Sequence, residues 1–282
     1  MKVSVVTPSY RQLEYLQLCA ASVADQTGVE VEHIIQDAGT GPELERWAAA
    51  QPNLRLFVEA DSGMYDAVNR GLRRATGEIC AYLNCDEQYL PGVLARVAEF
   101  FQSRPEVDVL FGDLILVNKF GEPLSYRRTV LPTKRHVRLA HLNTATCAMF
   151  FRRKLLDQGH YFDVRWKAIG DAVWIERLLQ DNFRLATLPE PLAVFTMTGE
   201  NLGSTGISLE EGRTWKSGGG PEKVLERLAA IIWHRLRKWK VGAYRRRRVE
   251  INIFTRQSPE KRQRIVREGV GFRWPANELA SN

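Results

Sequence analysis

Short β-branched or apolar runs alternate, over the first hundred residues, with stretches in which apolar side chains return every three or four positions. "VSVVT" (3–7), stopped by Pro8, reads as a first strand. Leu13, Leu16, Cys19, Ala20 and Val23 then mark one face of a helix between Gln12 and Gln26. "VEHIIQDAG" (31–39) is a second strand, and Pro42 opens the helix that follows. "LRLFVEAD" (54–61) is a third, followed by a helix over Tyr65–Ala75 with Ala67, Val68, Leu72 and Ala75 on its apolar side. "EICAYLN" (78–84) is a fourth, with a helix over Pro91–Phe101. Strands separated by helices need crossover connections, which predicts an α/β fold with a parallel sheet covered on both faces.

Past residue 105 the alternation loosens. "VDVLFGDLILV" (107–117) is strand-like, "NKFGEP" a turn and "LSYRRTVL" its hairpin partner. "TCAMFFRR" (146–153) is another apolar run, and "AIGDAVWIERLLQD" (168–181) is helical. "FRLATLPEPLAVFTM" (183–197) suggests two short strands around Pro189 and Pro191. "NLGSTGIS" and "KSGGGPE" are Gly/Ser-rich and read as mobile linkers.

Three of the four early strands share a feature. Asp37, Asp61 and Asp86 each stand just past a strand's C-terminal end. Ligands of open α/β sheets bind outside those ends, so the three carboxylates are expected to meet in one crevice. In "AYLNCDEQYLPG" (81–92) a buried-looking strand runs straight into Asn84, Cys85, Asp86 and Glu87. Adjacent like charges raise each other's pKa. Either the strand surfaces there and the acids are solvated, or a divalent cation sits among them.

Composition narrows the classes. At 282 residues and 44% hydrophobic, the chain has room for a sizeable core. It contains no apolar run of the roughly 18 residues that a membrane span needs. "MKVSVVTPSY" enters a strand pattern at once, so no signal peptide is expected. Cys19, Cys80, Cys85 and Cys147 are scattered without a C-x-x-C pair and read as reduced structural thiols of a cytosolic protein. The net charge of +7 is unevenly spread: residues 222–282 hold 16 basic and 6 acidic groups, against 24 and 27 in the rest. A mildly acidic body thus carries a basic C-terminal segment suited to an anionic surface. Neither G-x-x-x-x-G-K-[ST] nor a post-strand G-x-G-x-x-G is present, which argues against P-loop and dinucleotide enzymes. A divalent cation held by carboxylates can take the place of such a loop in binding a diphosphate.

The succession "VSVVTPSYRQLEYLQLCAASVADQT", "IIQDAGT" and "EADSGMYDAVNRGLRRATGEICAYLNCDE" resembles the family 2 glycosyltransferases of GT-A fold, above all bacterial members that build cell-surface polysaccharides. The resemblance covers residues 2 to 200. It implies a Rossmann-like, mostly parallel sheet flanked by helices, a nucleotide-sugar donor (UDP-sugar by default), Mg²⁺ or Mn²⁺, and inverting transfer. It divides the chain into a catalytic domain over 1–205, with a donor half to about 110 and an acceptor half to 205, and a linker with a basic amphipathic helical extension over 206–282. Residue by residue, Thr7, Pro8 and Tyr10 match the first nucleotide-binding segment. Asp37 matches the acid that receives a hydrogen bond from the base, and Asp61 an acid near the nucleoside. Asp66 and Asn69 lie on the next helix, with Arg70 placed to offset diphosphate charge. Asn84, Cys85 and Asp86 occupy the D-x-D-like motif, with Asp86 the metal ligand and Glu87 standing behind it or reaching the ion through water. Asp171 matches the catalytic base, while its place beside Gly170 also fits a plain helix-capping Asp. Relatives often carry His-Gln where this chain has Thr146 and Cys147. His141 is therefore an acceptor candidate or an ordinary loop residue, and Trp166 and Trp174 stack on a sugar or pack in the core.

In "PEKVLERLAAIIWHRLRKWKVGAYRRRR", Leu225, Leu228, Ile232, Leu236 and Trp239 follow helical spacing, and Arg235, Arg237, Lys238, Lys240 and Arg245–Arg248 supply charge. Over 222–248 this is the pattern of a helix lying in a membrane interface, where each basic residue contributes on the order of 1 kcal/mol on an anionic leaflet. The alternative is an apolar stripe packed on the catalytic domain. The membrane reading places the protein at the cytoplasmic face of the plasma membrane with a glycan or polyprenyl-diphosphate-linked acceptor. No nucleic-acid module accompanies the charge, and the tail also allows an oligomer. Two rivals remain on the same pattern: a sugar-phosphate nucleotidyltransferase, for which "TPSYRQ" lacks the glycine-rich loop, and a non-catalytic binding module on the same fold.

Overall fold

In a computed structural model, residues 1–199, 201, 206–216 and 221–275 are described. The Gly/Ser-rich stretches at 202–205 and 217–220, with the linker expectation placed on them, lie outside the described residues. The chain runs β1 (Lys2–Ser9), α1 (Leu13–Ala24), β2 (Glu30–Asp37), α2 (Pro42–Ala49), β3 (Leu54–Val58), α3 (Met64–Arg74), β4 (Ile79–Tyr82), β5 (Glu87–Tyr89) and α4 (Val93–Ser103). It continues through β6 (Val109–Asn118), β7 (Pro123–Arg127), α5 (Lys134–Leu139), β8 (Met149–Arg152), α6 (Lys154–Asp157), α7 (Gly170–Gln180) and β9 (Leu185–Met197). The last elements are α8 (Gly206–Lys216), α9 (Pro221–Lys240), β10 (Arg247–Thr255) and β11 (Ser258–Val270).

One sheet organises the body, in the order β3-β2-β1-β4-β8-β6-β9-β5, with β7 also on β6. The β3-β2-β1-β4 half is parallel, as the strand–helix alternation predicts. β6 and β9 form a second parallel pair, joined to the first half through antiparallel β8. Parallel ladders carry most of the paired residues. Pro189 and Pro191, expected to divide two short strands, instead lie in one long β9, whose register against β6 slips between Gly112 and Leu114. A strand tolerates proline at such an irregularity because the missing N–H is not needed there.

Apolar side chains fill both faces of the sheet. On one, Cys19 and Val23 of α1 and Val93, Val97 and Phe101 of α4 pack with the sheet; on the other, Val68 and Leu72 of α3 meet Trp174, Ile175 and Leu178 of α7. The approach of α3 to β1 requires Gly71, where a Cβ would stand 2.3 Å from a Val6 methyl.

The C-terminal segment departs from expectation. It is helical over Gly206–Lys216 and Pro221–Lys240, but Arg247–Val270 is an antiparallel hairpin, so Arg245–Arg248 belong to its approach and first strand and not to a helix. Val249, Ile251 and Ile253 of β10 are buried in the α1/α4 core, and this part of the chain belongs to the body. Gln88 and Phe254 exchange two hydrogen bonds, at 2.9 and 3.0 Å. Arg262, nearly buried, donates to the Asp25 carboxylate and to the Tyr89 and Asn252 carbonyls. Arg262→Ala leaves these acceptors unpaired and is expected to cost on the order of 2–4 kcal/mol. Urea unfolding with amide exchange checks this: the β10 and β5 amides lose protection first, whereas an unchanged midpoint would show the hairpin to be held by its apolar face alone.

Candidate active site

The parallel strands end together at the floor of a cavity of about 990 Å³. Its first wall comes from the ends of β1, β2 and β3: Pro8, Ser9, Tyr10, Ala38, Ala60 and Asp61. Asn84, Cys85 and Asp86, past the end of β4, lie in the middle of the sheet order. Leu114 of β6, Arg127 of β7 and Phe195 and Met197 of β9 form the wall beyond β4, with Trp274 beside them. The loop from His141 to Thr146 and the start of α7, with Asp171, complete the enclosure.

The central corner is built by Glu87. Its backbone N–H donates to the Asn84 carbonyl at 3.0 Å, and its carboxylate accepts the Asn84 N–H at 2.8 Å. Closed in this way, the turn aims Asn84, Cys85 and Asp86 at the cavity while Glu87 points into the core. Glu87 is therefore a fully buried brace, not a cavity group. Burial, reinforced by the Asp86 charge, pushes the Glu87 carboxyl well above its usual range. Asp86 is also raised by burial, and its Oδ2 accepts from Asn201 Nδ2 at 3.2 Å.

Asp171 sits in the first turn of α7, where the helix dipole favours an anion. The loop leading into the helix is held by a different acid. Glu211 of α8 accepts the Lys167, Ala168 and Ile169 amides that lead into α7, at 2.7, 2.9 and 3.2 Å. Asp171 keeps one local bond, from the Ala172 N–H to its Oδ1 at 2.8 Å, and its own N–H donates to the Tyr65 hydroxyl at 3.1 Å. Gly170 permits that contact, since a Cβ there would meet the Tyr65 ring at 2.7 Å. Burial pushes the Asp171 carboxyl up to about 6.

Several residues matched to donor or acceptor binding support this centre from behind. Asn69 is buried and clamps Phe162 through both its backbone groups, at 2.8 and 3.0 Å. Phe162 stacks on Tyr65 at 5.4 Å and on Trp174 at 4.8 Å. Trp174 is core, its indole N–H held by the His160 carbonyl. Trp166 packs at the edge of the same cluster and does not line the cavity. Thr7 is buried against His33, with 2.9 Å between its hydroxyl and Nε2. Asp37 is fully buried and turned into its own loop, accepting from the Gly39 and Thr40 amides and the Thr40 hydroxyl. Asp66 binds Ser62 and Arg70, and Arg70 also faces Glu59. The cavity thus gathers Pro8, Tyr10, Asp61, Asn84, Cys85, Asp86, His141 and Asp171, and leaves Thr7, Asp37, Asp66, Asn69, Arg70, Glu87, Trp166 and Trp174 outside its wall. Tyr65, Arg127, Asn201, Glu211 and Trp274 join the site without having been singled out in the sequence. Only Tyr65 carried a signal, within "DSGMYDAVNRG".

Among the described residues no three His, Cys, Asp or Glu side chains converge as a ready-made metal cage. What Asp86 and Asn84 offer is a carboxylate and an amide oxygen, Asn84 Oδ1, buried without a hydrogen-bond partner. Two oxygen donors at a cavity wall suit a hard divalent cation that takes its remaining ligands from phosphate and water.

Likeness to known proteins agrees with this geometry. The family model for Glycosyl transferase family 2 matches residues 4–159, and the chain belongs to that family. A PGL/p-HBAD biosynthesis glycosyltransferase of Mycobacterium bovis is 30% identical over 177 residues, 60% of this chain and 66% of that protein, so the match spans just under two thirds of the relative's length. Among solved structures, S. aureus TarS 1-349 superposes with a TM-score of 0.57 at 21% identity, covering 85% of this chain and 72% of that one. The mannosyltransferase PcManGT from Pyrobaculum calidifontis, solved with GDP-Man and Mn2+, gives 0.55 at 19% identity over 85% and 72%. The expected GT-A fold is the fold found.

A carboxyl whose folded pKa is raised stabilises the fold below its unfolded pKa and loses that contribution as pH rises through the folded value. Asp86→Asn removes the charge from the buried corner. Without divalent ions it is expected to raise stability at pH 7.5 by on the order of 1–3 kcal/mol, a few degrees in Tm, with the difference vanishing near pH 4. Thermal unfolding at both pH values checks this, and a variant less stable than wild type at pH 7.5 would contradict it.

Proposed function

We propose that this chain is an inverting, metal-dependent glycosyltransferase that moves a sugar from a nucleoside-diphosphate donor to a hydroxyl of a lipid-linked glycan in surface-polysaccharide synthesis. The observation that carries the reading is the meeting of Asp86 and Asp171, both raised by burial, in one cavity at the C-terminal ends of the parallel strands. The nucleoside lies against Pro8, Tyr10 and Ala38, with Asp61 beside it, and the diphosphate faces Asn84 and Asp86. UDP is the favoured nucleotide; neighbours of the same fold were solved with UDP-GlcNAc and with GDP-Man. Mg²⁺ or Mn²⁺ held by Asp86 and Asn84 would neutralise charge on the departing diphosphate.

Asp171 takes the proton of the acceptor hydroxyl. The oxygen then forms its bond to the anomeric carbon as the bond from that carbon to the diphosphate oxygen breaks on the opposite face. A base with a pKa near 6 is ionised at neutral pH yet still basic enough to hold the proton in the transition state. Tyr65, stacked on Phe162, and Glu211 fix its position. Turnover should therefore fall about tenfold per pH unit below about 6. Asp171→Asn is expected to lower kcat by about 10²–10⁴ with donor binding kept. Nucleoside diphosphate released from a nucleotide-sugar panel, with extracted lipid-linked glycan as acceptor, reads both effects; an Asn variant within tenfold of wild type would remove Asp171 from the chemistry.

The membrane part of the proposal rests on α9. Its stripe does not pack on the domain: Leu225, Trp233 and Trp239 are 73%, 62% and 74% exposed, and Leu228, Ile232 and Leu236 are exposed with them. Apolar side chains flanked by Arg235 and Lys240 fit an anionic lipid surface, which supports a peripheral position at the cytoplasmic face of the plasma membrane. Flotation with phosphatidylglycerol vesicles is expected to carry the protein, and the Leu225→Ser/Ile232→Ser/Trp239→Ser variant is expected to lose at least tenfold in binding. A wild-type dimer that leaves vesicles alone would assign the stripe to a second copy instead.

A further inference from the structure

The inward side of α9 is as unusual as its outward side. Where an amphipathic helix normally buries leucines, this one buries His234 and half-buries Arg237 and Lys238. His234 stacks on His136 of α5 at 3.9 Å and 25°, and His136 meets His141 edge-on at 4.7 Å. Two rings stacked in parallel cannot aim their nitrogens at one ion, so the cluster is not a metal seat. Its surroundings are cationic. Arg127, Lys216 and Lys238 all act on His141 to depress its pKa, after burial itself. Burial, then the nearby Arg127, brings Lys238 down to about 8.

The polar contacts of these cations are carbonyls. Arg127 donates to Phe272 at 2.6 Å, Lys216 to Ala140, and Arg237 to Leu131 at 2.9 Å. Among the described residues none of Arg127, Lys216, Arg237 and Lys238 stands in an ion pair. Elsewhere some enclosed cations meet carboxylates, Arg128 with Asp113, Arg74 with Glu59 and Arg262 with Asp25, while Arg152 and Arg177 stand singly against carbonyls; here several cations gather in one place. Partly buried charges of one sign cost stability unless an anion joins them. The group is not remote, for Arg127 and His141 line the cavity, as does Thr144, whose Oγ1 is buried without a partner.

Sheet order assigns the group a side. Pro8, Ala38 and Asp61 stand at the ends of β1, β2 and β3, on one side of β4; Arg127 belongs to β7, which pairs with β6 on the other. Asp86 lies between. A donor whose nucleoside occupies the first wall and whose diphosphate reaches Asp86 leaves the cationic wall to the second substrate.

We infer that Arg127 and His141, on the cavity wall, with Lys216 and Lys238 behind it, form a phosphate subsite at the far end of the cavity, taking a phosphate or diphosphate group borne by the acceptor. The inference rests on reading the cavity as a sugar-transfer site. Lys238, inward-facing on a helix whose outer face would meet lipid, and Lys216 at the end of α8 would hold an anionic headgroup on the side of the cavity that Asp171 also lines.

The test is isothermal titration of the full chain with inorganic pyrophosphate in the presence of a chelator. Wild type is expected to bind, the Lys216→Gln/Lys238→Gln variant to bind about tenfold or more weakly, the Lys216→Arg/Lys238→Arg variant to stay within about threefold, and Asp86→Asn to bind no more weakly than wild type. No binding by wild type, or binding lowered by Asp86→Asn and untouched by the lysine changes, would overturn the subsite. UDP with Mn²⁺ separates this from the transfer reading: its binding should vanish in Asp86→Asn and survive in both lysine variants. Wild type that binds pyrophosphate but never UDP would sink the transfer reading and keep an anion site. UDP binding lost with the lysines would move them to the donor diphosphate and overturn the acceptor assignment. Displacement of pyrophosphate by dodecyl phosphate far more than by glycerol phosphate identifies a lipid headgroup; equal displacement identifies a water-soluble phosphorylated acceptor.

Discussion

Two carboxylates, Asp86 and Glu87, occupy consecutive positions where the turn after β4 enters β5, and among the described residues no ion pair is formed by either. Neither can leave. Glu87 braces the turn by bonding the Asn84 amide, and that turn aims Asp86 into the cavity. Both are held above their usual pKa by burial, so the fold keeps a local cost that a bound cation would relieve. Most other features of the site can be described by how they serve this corner. The parallel strands of the first half bring a nucleotide-sized wall to one side, and the hairpin at 247–270 locks β5, on which Glu87 sits.

A second acid of the cavity wall is handled differently. Asp171 is placed by a relay that begins behind the cavity wall: Asn69 clamps Phe162, Phe162 stacks on Trp174 and on Tyr65, and Tyr65 meets Asp171. Glu211 takes the amides of the three residues before α7, while Asp171 itself accepts the Ala172 N–H of the first turn. Each acid thus has its own scaffold, a turn braced by Glu87 for Asp86 and a helix start backed by Tyr65 for Asp171, while burial raises both to about 6.

The first half of the fold was legible because its periods are clean. Apolar residues three and four apart marked the helices, β-branched runs marked the strands, and the acids past those strands pointed to the right end of the sheet. What the pattern does not record is which way a strand-end acid turns. Asp37 and Asp86 look equivalent in sequence, but Gly39 and Thr40 offer Asp37 two amides and a hydroxyl within its own loop, so it folds back, whereas the brace from Glu87 leaves Asp86 facing outward. Asn69, matched to donor binding, turns into the core, because family motifs mark position in the chain and not the direction a side chain takes; of the two readings open for Trp174, the core one holds. The hairpin was missed for a different reason. Val249, Ile251 and Ile253 alternate as a strand should, but the arginines before them extend the charge pattern of the helix and hide the change of period.

The central claim is that Asp86 marks the seat of a cation shared with a nucleoside diphosphate. Crystals grown with UDP and Mn²⁺, measured at the manganese edge, test it most directly. The account predicts one anomalous peak within coordination distance of the Asp86 carboxylate, with the diphosphate on its far side and the base against Pro8 and Tyr10. A manganese peak away from Asp86, or an ordered nucleotide whose diphosphate lies against Arg127 and Lys238 instead, would contradict it.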